Sequence, residues 1–346
     1  MGKALRKVAV VLRKFLVAVL LFALFVVIAT SVSPVYDFPE PKPFSGKDIF
    51  NPYAAVQGMD SVQWKRANFH THTRVKGPLN ECELWPAETD KAYRKLGYDI
   101  VTFSNHNELT KHPYDTALQV NVYEHGVNIF KYHKLVFGCD KVVYFDHLLP
   151  LFVFQKQFQL DFLAEGADFL QMNHPFRTNG TSQYQISRLE GYRIMELDSG
   201  ATTENEYWDW ALSTGRYSFG LANDDLHHPE DSRRIAVRCN FLYCPSGRYE
   251  DLKNTLLSGA YYSMRVPDYG NGDWEVKYAR NRCLPAVQNI GLNGDTVFIT
   301  LSQPADSIKF IGQNHTTLAL AKATAAARYD IKPCDPYVRI TAYFPE

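Results

Sequence analysis

Two histidines separated by one residue, His70 and His72, are the first residues of this chain whose types and spacing suggest chemistry. They follow a short strand-like run, and alternate side chains of an extended segment point the same way, so both imidazoles can reach one ion. Imidazole is a ligand for zinc, iron, manganese and nickel, so the pair alone does not name the metal. The alternative interpretation is two half-buried strand histidines, and the residues downstream decide between them.

Further metal-type side chains recur downstream, each in, at or beside a predicted strand. The carboxyl ends of parallel strands form the active-site rim of barrels and open α/β sheets, so these side chains are expected to converge. The candidates are His106, Glu124, His133, His174, Glu196, Asp225 and His227. His125 and His147 lie near two of them as competitors, and we interpret both as ordinary polar residues, together with His112, His228 and His315.

The elements that would position these side chains alternate between strand-like and helix-like pieces from Asn68 to about Tyr262. Predicted helices cover 86–96, 155–163, 204–212 and 250–257, and predicted strands cover 98–103, 118–123, 135–137, 169–172, 193–197 and 217–222. Repeated strand–helix units of this length imply a parallel sheet, open or closed into a barrel. From about Trp274 the pattern changes to short strands, at 296–301, 307–311, 317–320 and 337–343, which predicts a small β-rich domain.

The N-terminus has a basic leader followed by an apolar run from Phe15 to Ala29. Extended by three residues, this run makes a helix of about 27 Å, close to the ~30 Å hydrocarbon core of a membrane. We favour an uncleaved anchor over a cleaved signal peptide, for which Ala29-Thr30-Ser31 is a passable site. Either interpretation leaves the basic residues in the cytoplasm and the rest of the chain outside it. The proline-rich stretch 34–66 is predicted to be an extended spacer.

Composition and cysteine usage narrow the function classes further. Lys+Arg and Asp+Glu both number 37, so there is no basic excess of the kind expected of a nucleic-acid-binding surface. Export would permit disulfides among the six cysteines. Cys239 with Cys244 and Cys283 with Cys334 are the pairings we consider, and buried reduced thiols are the alternative.

Several motifs together resemble the PHP (polymerase and histidinol phosphatase) family of metallophosphoesterases. The ligand motifs are His70-x-His72, Phe103-Ser-Asn105-His106-Asn107, Met172-Asn173-His174-Pro175 and Asp225-x-His227. The segments Trp208–Gly215, Gly220–Asp225 and Leu256–Ser263 resemble the family's last helix and strands, so the resemblance covers about 68–265. It implies a distorted seven-stranded β/α barrel that holds two or three divalent metal ions (Mn, Zn or Fe).

The resemblance also assigns ligands residue by residue. His70 and His72 would hold one metal with Asp225, and Glu124 would bridge it to a second metal. The second metal would be completed by His133 and His174, and a third would be served by His106 and His227. Such a centre polarises phosphate oxygens and activates water as the nucleophile.

The sequence departs from the family's pattern in two places, and both affect the third metal. The family places an acid or histidine several residues after the HxH pair, and Glu81 and Glu83 are the candidates to replace it here. The family's Thr-Asp-His is Ser104-Asn105-His106 here. A phosphate substrate also needs a cationic hydrogen-bond donor, and the planar guanidinium of arginine can donate two parallel hydrogen bonds to it. Arg177 is the first candidate and Arg265 the second, with a surface salt bridge as the alternative for each.

The sequence therefore predicts an extracytoplasmic metal-dependent phosphoesterase that acts on a small-molecule phosphoester. The predicted organisation is an anchor or signal at 1–33, a spacer at 34–66, a PHP-like barrel at 67–270 and a β-rich domain at 274–346. Its catalytic residues would be Asp225, His227, Arg177 and Arg265. The alternatives are a metallohydrolase of non-phosphate ester or amide bonds and a non-catalytic exported binding protein.

Overall fold

The computed structural model describes residues 2–59, 63–114, 118–199, 202–203, 206–267 and 272–345 of the chain. Within these ranges the helices are α1 (Gly2–Ala29), α2 (Pro86–Lys95), α3 (Val153–Ala164), α4 (Gln183–Ile186), α5 (Glu206–Ser213), α6 (Tyr249–Ser258) and α7 (Trp274–Asn281). The strands are β1 (Trp64–Asn68), β2 (Ile100–Val101), β3 (Val122–His125), β4 (Lys134–Phe137), β5 (Phe169–Met172), β6 (Ile194–Ser199), β7 (Thr202–Thr203), β8 (Phe219–Ala222), β9 (Arg238–Tyr243), β10 (Tyr261–Arg265), β11 (Val287–Asn293), β12 (Thr296–Gly312), β13 (Thr316–Asp330) and β14 (Arg339–Tyr343).

The helices predicted between the strands are observed close to their predicted bounds, and local sequence explains their ends. In α2, Pro86 occupies the first turn, where its missing N–H costs nothing, and the Glu88 carboxylate accepts the Trp85 N–H at 2.9 Å. The helix stops before Gly97, whose φ of +83° favours glycine. The helix predicted at 204–212 is α5, and its predicted start lies outside the described residues.

The strands of the region predicted as a barrel form two mixed sheets rather than the predicted parallel sheet. One sheet has the order β10-β9-β1-β2, and only β1 and β2 in it are parallel. The other runs β3-β4-β5-β6, with β7 and β8 both pairing with β6. The parallel prediction is wrong for β3 and β4, because the loop 126–133 between them is shorter than the dozen or more residues that a parallel crossover needs.

The described strands do not close into the predicted seven-stranded barrel. Between the two sheets the ladder is reduced to isolated parallel bridges, His106 with Glu124 and Thr71 with Leu226. Next to these bridges the backbone takes positive φ, at Asn107 (49°) and Asp225 (48°). A regular ladder requires extended backbone, so it cannot continue through these two positions.

The two sheets nevertheless share one apolar core. Buried side chains of the first sheet pack against buried side chains of the second and against α6. This shared cluster includes Ala67, Phe69, Leu135, Phe137, Ile194, Leu221, Leu242, Leu252 and Leu256. Burial of this apolar surface holds the two sheets together where backbone pairing does not.

The C-terminal part forms a separate antiparallel sheet, in agreement with the β-rich pattern of its sequence. It has the order β11-β12-β13, with β14 on the other edge of β12, and the two predicted strands at 296–301 and 307–311 are one long strand. It buries its own apolar cluster and meets α5, where Ser213 Oγ accepts the backbone N–H of Asn314 at 2.9 Å. Helix α7, on the approach to this sheet, was not predicted.

The N-terminal helix α1 is long and apolar enough to cross a membrane, and none of its most apolar window is buried against the rest of the chain. The proline-rich segment that follows makes specific contacts with the sheets and helices. Tyr36 donates a hydrogen bond from its hydroxyl to Asp161 at 2.7 Å, and the Tyr53 hydroxyl donates to the Tyr261 carbonyl at 2.6 Å. The segment therefore lies along the folded unit over much of its length.

All six cysteines are free thiols, so the disulfide pairings considered from sequence are wrong. Cys239 and Cys244 are five residues apart along β9 and its continuation, which places them roughly 16 Å apart in extended backbone. A disulfide needs Cα atoms within about 7 Å. Cys82, Cys139, Cys239 and Cys244 are buried, and Cys283 and Cys334 are exposed.

We expect thiol titration without reductant to find six reactive thiols in the denatured chain and rapid reaction of only the two exposed ones in the folded chain. The buried thiols react only after opening of the fold, because the reactive thiolate must be accessible. The Cys283→Ser/Cys334→Ser double variant should lose the fast phase and keep the slow one. Fewer than six thiols after denaturation would contradict this arrangement.

Candidate metal centre

The HxH pair is buried directly beyond β1. His70 and His72 are 0% and 1% exposed, and both side chains point to the same side of the segment. The backbone N–H of His72 donates to the Leu226 carbonyl at 2.8 Å, which brings the HxH segment beside the residues that follow β8. This hydrogen bond therefore brings His70 and His72 close to Asp225 and His227.

Glu124, on β3, is the residue around which the other side chains are arranged. One of its carboxylate oxygens, Oε2, faces three imidazoles and the other, Oε1, faces two. Oε2 lies 3.1 Å from His70 Nε2, 3.1 Å from His72 Nε2 and 3.2 Å from His106 Nε2. Oε1 lies 3.1 Å from His133 Nδ1 and 3.2 Å from His174 Nε2. A carboxylate whose two oxygens face two separate groups of imidazoles has the geometry of a bridging ligand.

Asp225 supplies a second buried carboxylate close to the HxH pair. Its Oδ1 lies 3.2 Å from His70 Nε2 and 3.4 Å from both His72 Nε2 and His227 Nε2. Its Oδ2 accepts a hydrogen bond from Arg177 Nη2 at 2.6 Å. The structure thus brings together the eight residues that the resemblance assigns as ligands, whereas Glu196, also a candidate from sequence, lies behind them against His70 Nδ1.

Glu81 also belongs to this cluster, although we did not choose it as a ligand from sequence. Its Oε2 lies 3.2 Å from His106 Nε2, 3.9 Å from His227 Nδ1 and 4.0 Å from His72 Nδ1. The hydrogen bond with His106 is the main reason that its pKa falls to about 2, so it is ionised at neutral pH. The sequence indicated Glu81 only by its position several residues after the HxH pair, and Glu83 lies at a similar position.

The charges in the cluster are strongly coupled. Burial would raise the pKa of Glu124, but the nearby His106, His70 and His133 hold it well below its usual range. Burial would likewise raise the pKa of Asp225, and His70, His227 and His72 hold it well below. Burial lowers the pKa of His133 to about 4. Burial would also lower the pKa of His70 and His72, but the facing carboxylates raise the first well above its usual range and the second to about 9.

A further layer of polar side chains fixes the orientation of the ligands. Glu196 accepts from His70 Nδ1–H at 2.9 Å and from the backbone N–H of His174 at 2.8 Å. The first contact leaves Nε2 of His70 facing the carboxylates, which is how a carboxylate selects the tautomer of a metal-binding histidine. Asn173 donates to Glu124 Oε1 at 2.9 Å.

Asn105 explains how this chain works without the aspartate expected before His106. Its Oδ1 accepts the Thr73 backbone N–H at 2.8 Å, and its Nδ2 donates to Thr73 Oγ1 at 2.8 Å and Thr110 Oγ1 at 2.7 Å. Asn105 therefore holds the loop after the HxH pair in place. This role needs both an acceptor and a donor, which an amide provides and a carboxylate does not.

The donor set fits a cation. The candidate ligand atoms of His70, His72, Glu124 and Asp225 all lie within 4.8 Å of one another, as do those of two overlapping groups that add Glu81, His106 and His133. Nε2 of both His70 and His72 is buried without a hydrogen-bond partner, although carboxylate oxygens lie about 3 Å away. Shared coordination of a cation would satisfy these nitrogens, and imidazole with carboxylate suits zinc, manganese or iron.

The remaining histidines lie outside the cluster, as predicted. His125 Nε2–H donates to the Phe145 carbonyl at 2.9 Å, and His147 Nδ1–H donates to the Thr30 carbonyl. His112 lies 3.3 Å from Asp90 and His228 lies 3.2 Å from Glu230. His315 Nδ1 lies 2.9 Å from Arg339 Nη2.

The two arginine candidates occupy different positions. Arg177 reaches into the cluster through Asp225 and is 29% exposed, so it lies at the opening of the site together with the partly exposed His227 and Glu81. Arg265 is 60% exposed and contacts Asp198, with Nε 3.6 Å from Oδ2. Arg177 is therefore the arginine that can meet a ligand of the cluster.

Comparison with known proteins gives a distant similarity to a solved structure. No protein-family model matches the chain, and no curated protein matches it. Among solved structures, the chain is similar to a two-domain protein from Bacteroides vulgatus ATCC 8482 described as containing a predicted PHP-like metal-dependent phosphoesterase. The TM-score is 0.43 and the sequence identity 15%, over 90% of this chain and 91% of that chain. The case for a metal centre here rests on the side chains described above.

We expect the purified chain to bind divalent metal, and the Glu124→Gln variant to lose most of it. Replacing the carboxylate removes the charge that faces both groups of imidazoles, while the amide keeps the shape. Elemental analysis measures the change directly. A free metal concentration of 100 times Kd should stabilise the wild type by about 2.7 kcal/mol, and chelation should reverse the gain.

Two adjacent histidines provide the matched control for this measurement. His227 faces Asp225, whereas His228 is half exposed and pairs with Glu230. His227→Ala should lower metal content or affinity, and His228→Ala should not. Equal metal content in the wild type, Glu124→Gln and His227→Ala would disprove the centre.

Gly126 gives a second test, because it lies against a ligand. Its φ is +128°, and a Cβ there would lie 2.5 Å from Cδ2 of His133. Gly126→Ala should therefore displace His133 and lower metal affinity, beyond the backbone strain of about 1–3 kcal/mol. Gly191 is the control, because its φ is +90° but a Cβ there meets nothing within 4 Å. Gly191→Ala should lower only the thermal stability, and an equal loss of metal affinity in both variants would contradict the proposed role of His133.

Proposed function

We propose that this chain is a PHP-like metal-dependent phosphoesterase that hydrolyses a phosphoester at a centre of two or three divalent cations. The single observation that carries the proposal is the position of Glu124, whose two carboxylate oxygens face two separate groups of histidines at 3.1–3.2 Å. A shared carboxylate is what allows two cations to lie close enough to act on one phosphoryl group. The ordered motifs of the sequence support the same family.

In this proposal the ligands divide into three positions. His70, His72 and Asp225 would hold the first cation, Glu124 would be shared between the first and the second, and His133 with His174 would complete the second. His106 and His227 serve a third position, with Glu81 as the acid that the family's pattern expects after HxH. Bound cations of this type supply Lewis-acid polarisation of phosphoryl oxygens and a water of lowered pKa.

The chain's own residues bind and orient the substrate. Arg177, at the opening, presents a guanidinium whose Nη2 already meets a carboxylate oxygen at 2.6 Å. A phosphoryl oxygen entering the site can take the place of that contact or share it, because guanidinium pairs with both groups in the same planar geometry. The burial of the remaining ligands keeps bulk water out of the site and strengthens these charge interactions.

We also propose the predicted organisation, with an anchor at 1–33, a spacer at 34–66, the hydrolase unit at 67–270 and a β-rich domain at 274–346. The apolar cluster of the C-terminal sheet supports a β-rich domain, although α7 at its predicted start packs Trp274 and Tyr278 against a core cluster of the hydrolase unit. Retention of α1 as an anchor is supported by the carbonyls of Thr30 and Ser31, which accept hydrogen bonds from His147 and Gln155. The two sheets would be the halves of a PHP-like barrel opened at the two isolated bridges. The hydrolase unit would lie outside the cytoplasm.

The test is an activity screen on the metal-loaded chain. We expect release of p-nitrophenol from p-nitrophenyl phosphate or its bis ester, and no comparable hydrolysis of p-nitrophenyl acetate. Asp225→Asn should abolish the activity. Metal-loaded protein that hydrolyses only the carboxylate ester would support the rival metallohydrolase, and protein inactive on all three would overturn the proposal.

Arg177→Ala should lower kcat/KM for the phosphoester by roughly 10²-fold, which is typical for loss of one charge-assisted donor to the transition state. Arg177→Lys should recover part of it, because it restores the charge but not the planar fork. Metal content separates the roles of this residue: an arginine that binds phosphate leaves metal content unchanged, whereas one that only positions Asp225 lowers it. Arg265→Ala is the matched control and should keep full activity.

A further inference from the structure

A group of exposed apolar side chains surrounds the point where α1 meets the folded unit. Each member is more than half exposed, and the group comes from the loop 126–131, the segment 144–152 and α4. These residues are Val127, Ile129, Tyr144, Leu151, Phe152 and Tyr184, and we refer to them as the apolar patch. Exposed apolar residues are unremarkable singly, but several on neighbouring segments mark an interaction surface.

Hydrogen bonds connect the segments of the apolar patch to one another. The backbone N–H of Ile129 donates to the Leu148 carbonyl at 3.4 Å, and that of Val127 donates to Asp146 Oδ2 at 2.8 Å. Gln185, next to Tyr184, donates to the Leu151 carbonyl at 2.8 Å. The patch is therefore one surface built from three segments.

The end of α1 lies against the same surface. Just after the helix ends at Ala29, the Thr30 carbonyl accepts from His147 and the Ser31 carbonyl accepts from Gln155 Nε2 at 3.0 Å. The Oε1 of Gln155 accepts the backbone N–H of Phe152 at 3.0 Å, so one side chain joins the anchor to the patch. If α1 crosses a bilayer, these contacts place the patch at the level of the lipid headgroups.

The apolar patch also reaches the opening of the metal centre. The loop that carries Val127 and Ile129 runs from Glu124 to His133, both in the cluster. The carbonyl of Phe130 accepts from Thr178 Oγ1 at 2.6 Å, one residue after Arg177. Tyrosine, which the patch contains twice, is enriched where proteins meet the membrane interface.

We propose that the apolar patch rests in the bilayer that α1 crosses, and that the metal centre takes the phosphoester of a membrane lipid whose chains remain in that bilayer. This inference rests on the proposed phosphoesterase activity and names the substrate class. For a lipid phosphomonoester, the oxygen of water bonds to phosphorus and the bond from phosphorus to the lipid oxygen breaks. A proton from water passes to that oxygen, so phosphate leaves into the water and the lipid alcohol stays in the bilayer.

The membrane contact is tested first, without reference to activity. The full chain is reconstituted in phosphatidylcholine vesicles with or without brominated acyl chains, which quench nearby tryptophan fluorescence. Ile129→Trp should add fluorescence that the brominated lipid quenches, relative to the wild type with its five tryptophans. Leu320→Trp, at an exposed position on the C-terminal sheet, should add fluorescence that is not quenched. Equal quenching of the two added tryptophans, or none in either, overturns the proposed contact.

The substrate is tested in the same vesicles with phosphatidate as the lipid phosphomonoester and p-nitrophenyl phosphate as the soluble one. Ile129→Ser/Phe152→Ser should lower kcat/KM for phosphatidate by at least about tenfold, because two apolar anchors leave the bilayer. The rate on p-nitrophenyl phosphate should not change, which also shows that the variant is folded. Val276→Ser/Leu320→Ser, at exposed apolar positions elsewhere, should change neither rate.

The outcomes separate this inference from the proposed function. Hydrolysis of p-nitrophenyl phosphate without hydrolysis of phosphatidate, or equal losses on both substrates in the Ile129→Ser/Phe152→Ser variant, overturns the lipid substrate and leaves the phosphoesterase standing. Hydrolysis of neither substrate by the metal-loaded wild type overturns both.

Discussion

The buried carboxylate of Glu124 is the constraint on which the rest of the structure depends. A carboxylate removed from water costs several kcal/mol unless positive charge and hydrogen bonds compensate it. Here five imidazoles and the amide of Asn173 surround it, yet the nearest nitrogens of His70 and His72 make no hydrogen bond. Protonated imidazoles would compensate the charge at the cost of mutual repulsion. Divalent cations would compensate both carboxylates while the imidazoles stay neutral, and so would avoid that repulsion.

Gathering these ligands at one point distorts the backbone that carries them. His174 has φ of 23° and Asp225 has φ of 48°, in the region that side chains other than glycine rarely adopt. Each such residue costs roughly 1–3 kcal/mol and persists only where its surroundings fix it. Glu196 fixes His174 by accepting its backbone N–H, and Leu226 fixes the turn after Asp225 by accepting the His72 N–H. The same distortion interrupts the sheets at His106 and Leu226, so the open seams and the ligand cluster have one cause.

The sequence predicted which side chains lie together better than it predicted the pairing of the strands. His70, His72, Asp225 and His227 belong to short motifs whose residue types are constrained by coordination chemistry, and every predicted ligand is in the cluster. Strand pairing depends instead on contacts between distant segments, which strand-like patterns do not specify. The strand β9 was missed because its polar residues obscure the alternation, and Asn240 in it is buried to hydrogen-bond Ala222 and Asn223. Glu81 could not be chosen over Glu83, since only the fold decides which of two nearby acids turns inward.

Helix α3 connects the end of the N-terminal helix to the loop after Arg177, a connection that the sequence does not indicate. Its consecutive residues Gln155 and Lys156 contact the end of α1 and the loop after Arg177, respectively. Gln155 binds the Ser31 carbonyl, and the ammonium of Lys156 binds Thr181 Oγ1 at 3.0 Å and Gln185 Oε1 at 2.7 Å. Burial lowers the pKa of Lys156 to about 7, so this buried lysine is only partly protonated at neutral pH.

A methionine or leucine would fill the space of Lys156 without that cost but could not bind the carbonyl and side-chain oxygens of the loop after Arg177. The loop is otherwise irregular, with Thr178 at φ of 69°, so its position depends on such contacts. A single helical turn thus fixes both the exit of the anchor and the loop that presents Arg177. In the proposed membrane-anchored arrangement, packed side chains would set the distance between the membrane and the opening of the site. A flexible tether would leave that distance free to vary.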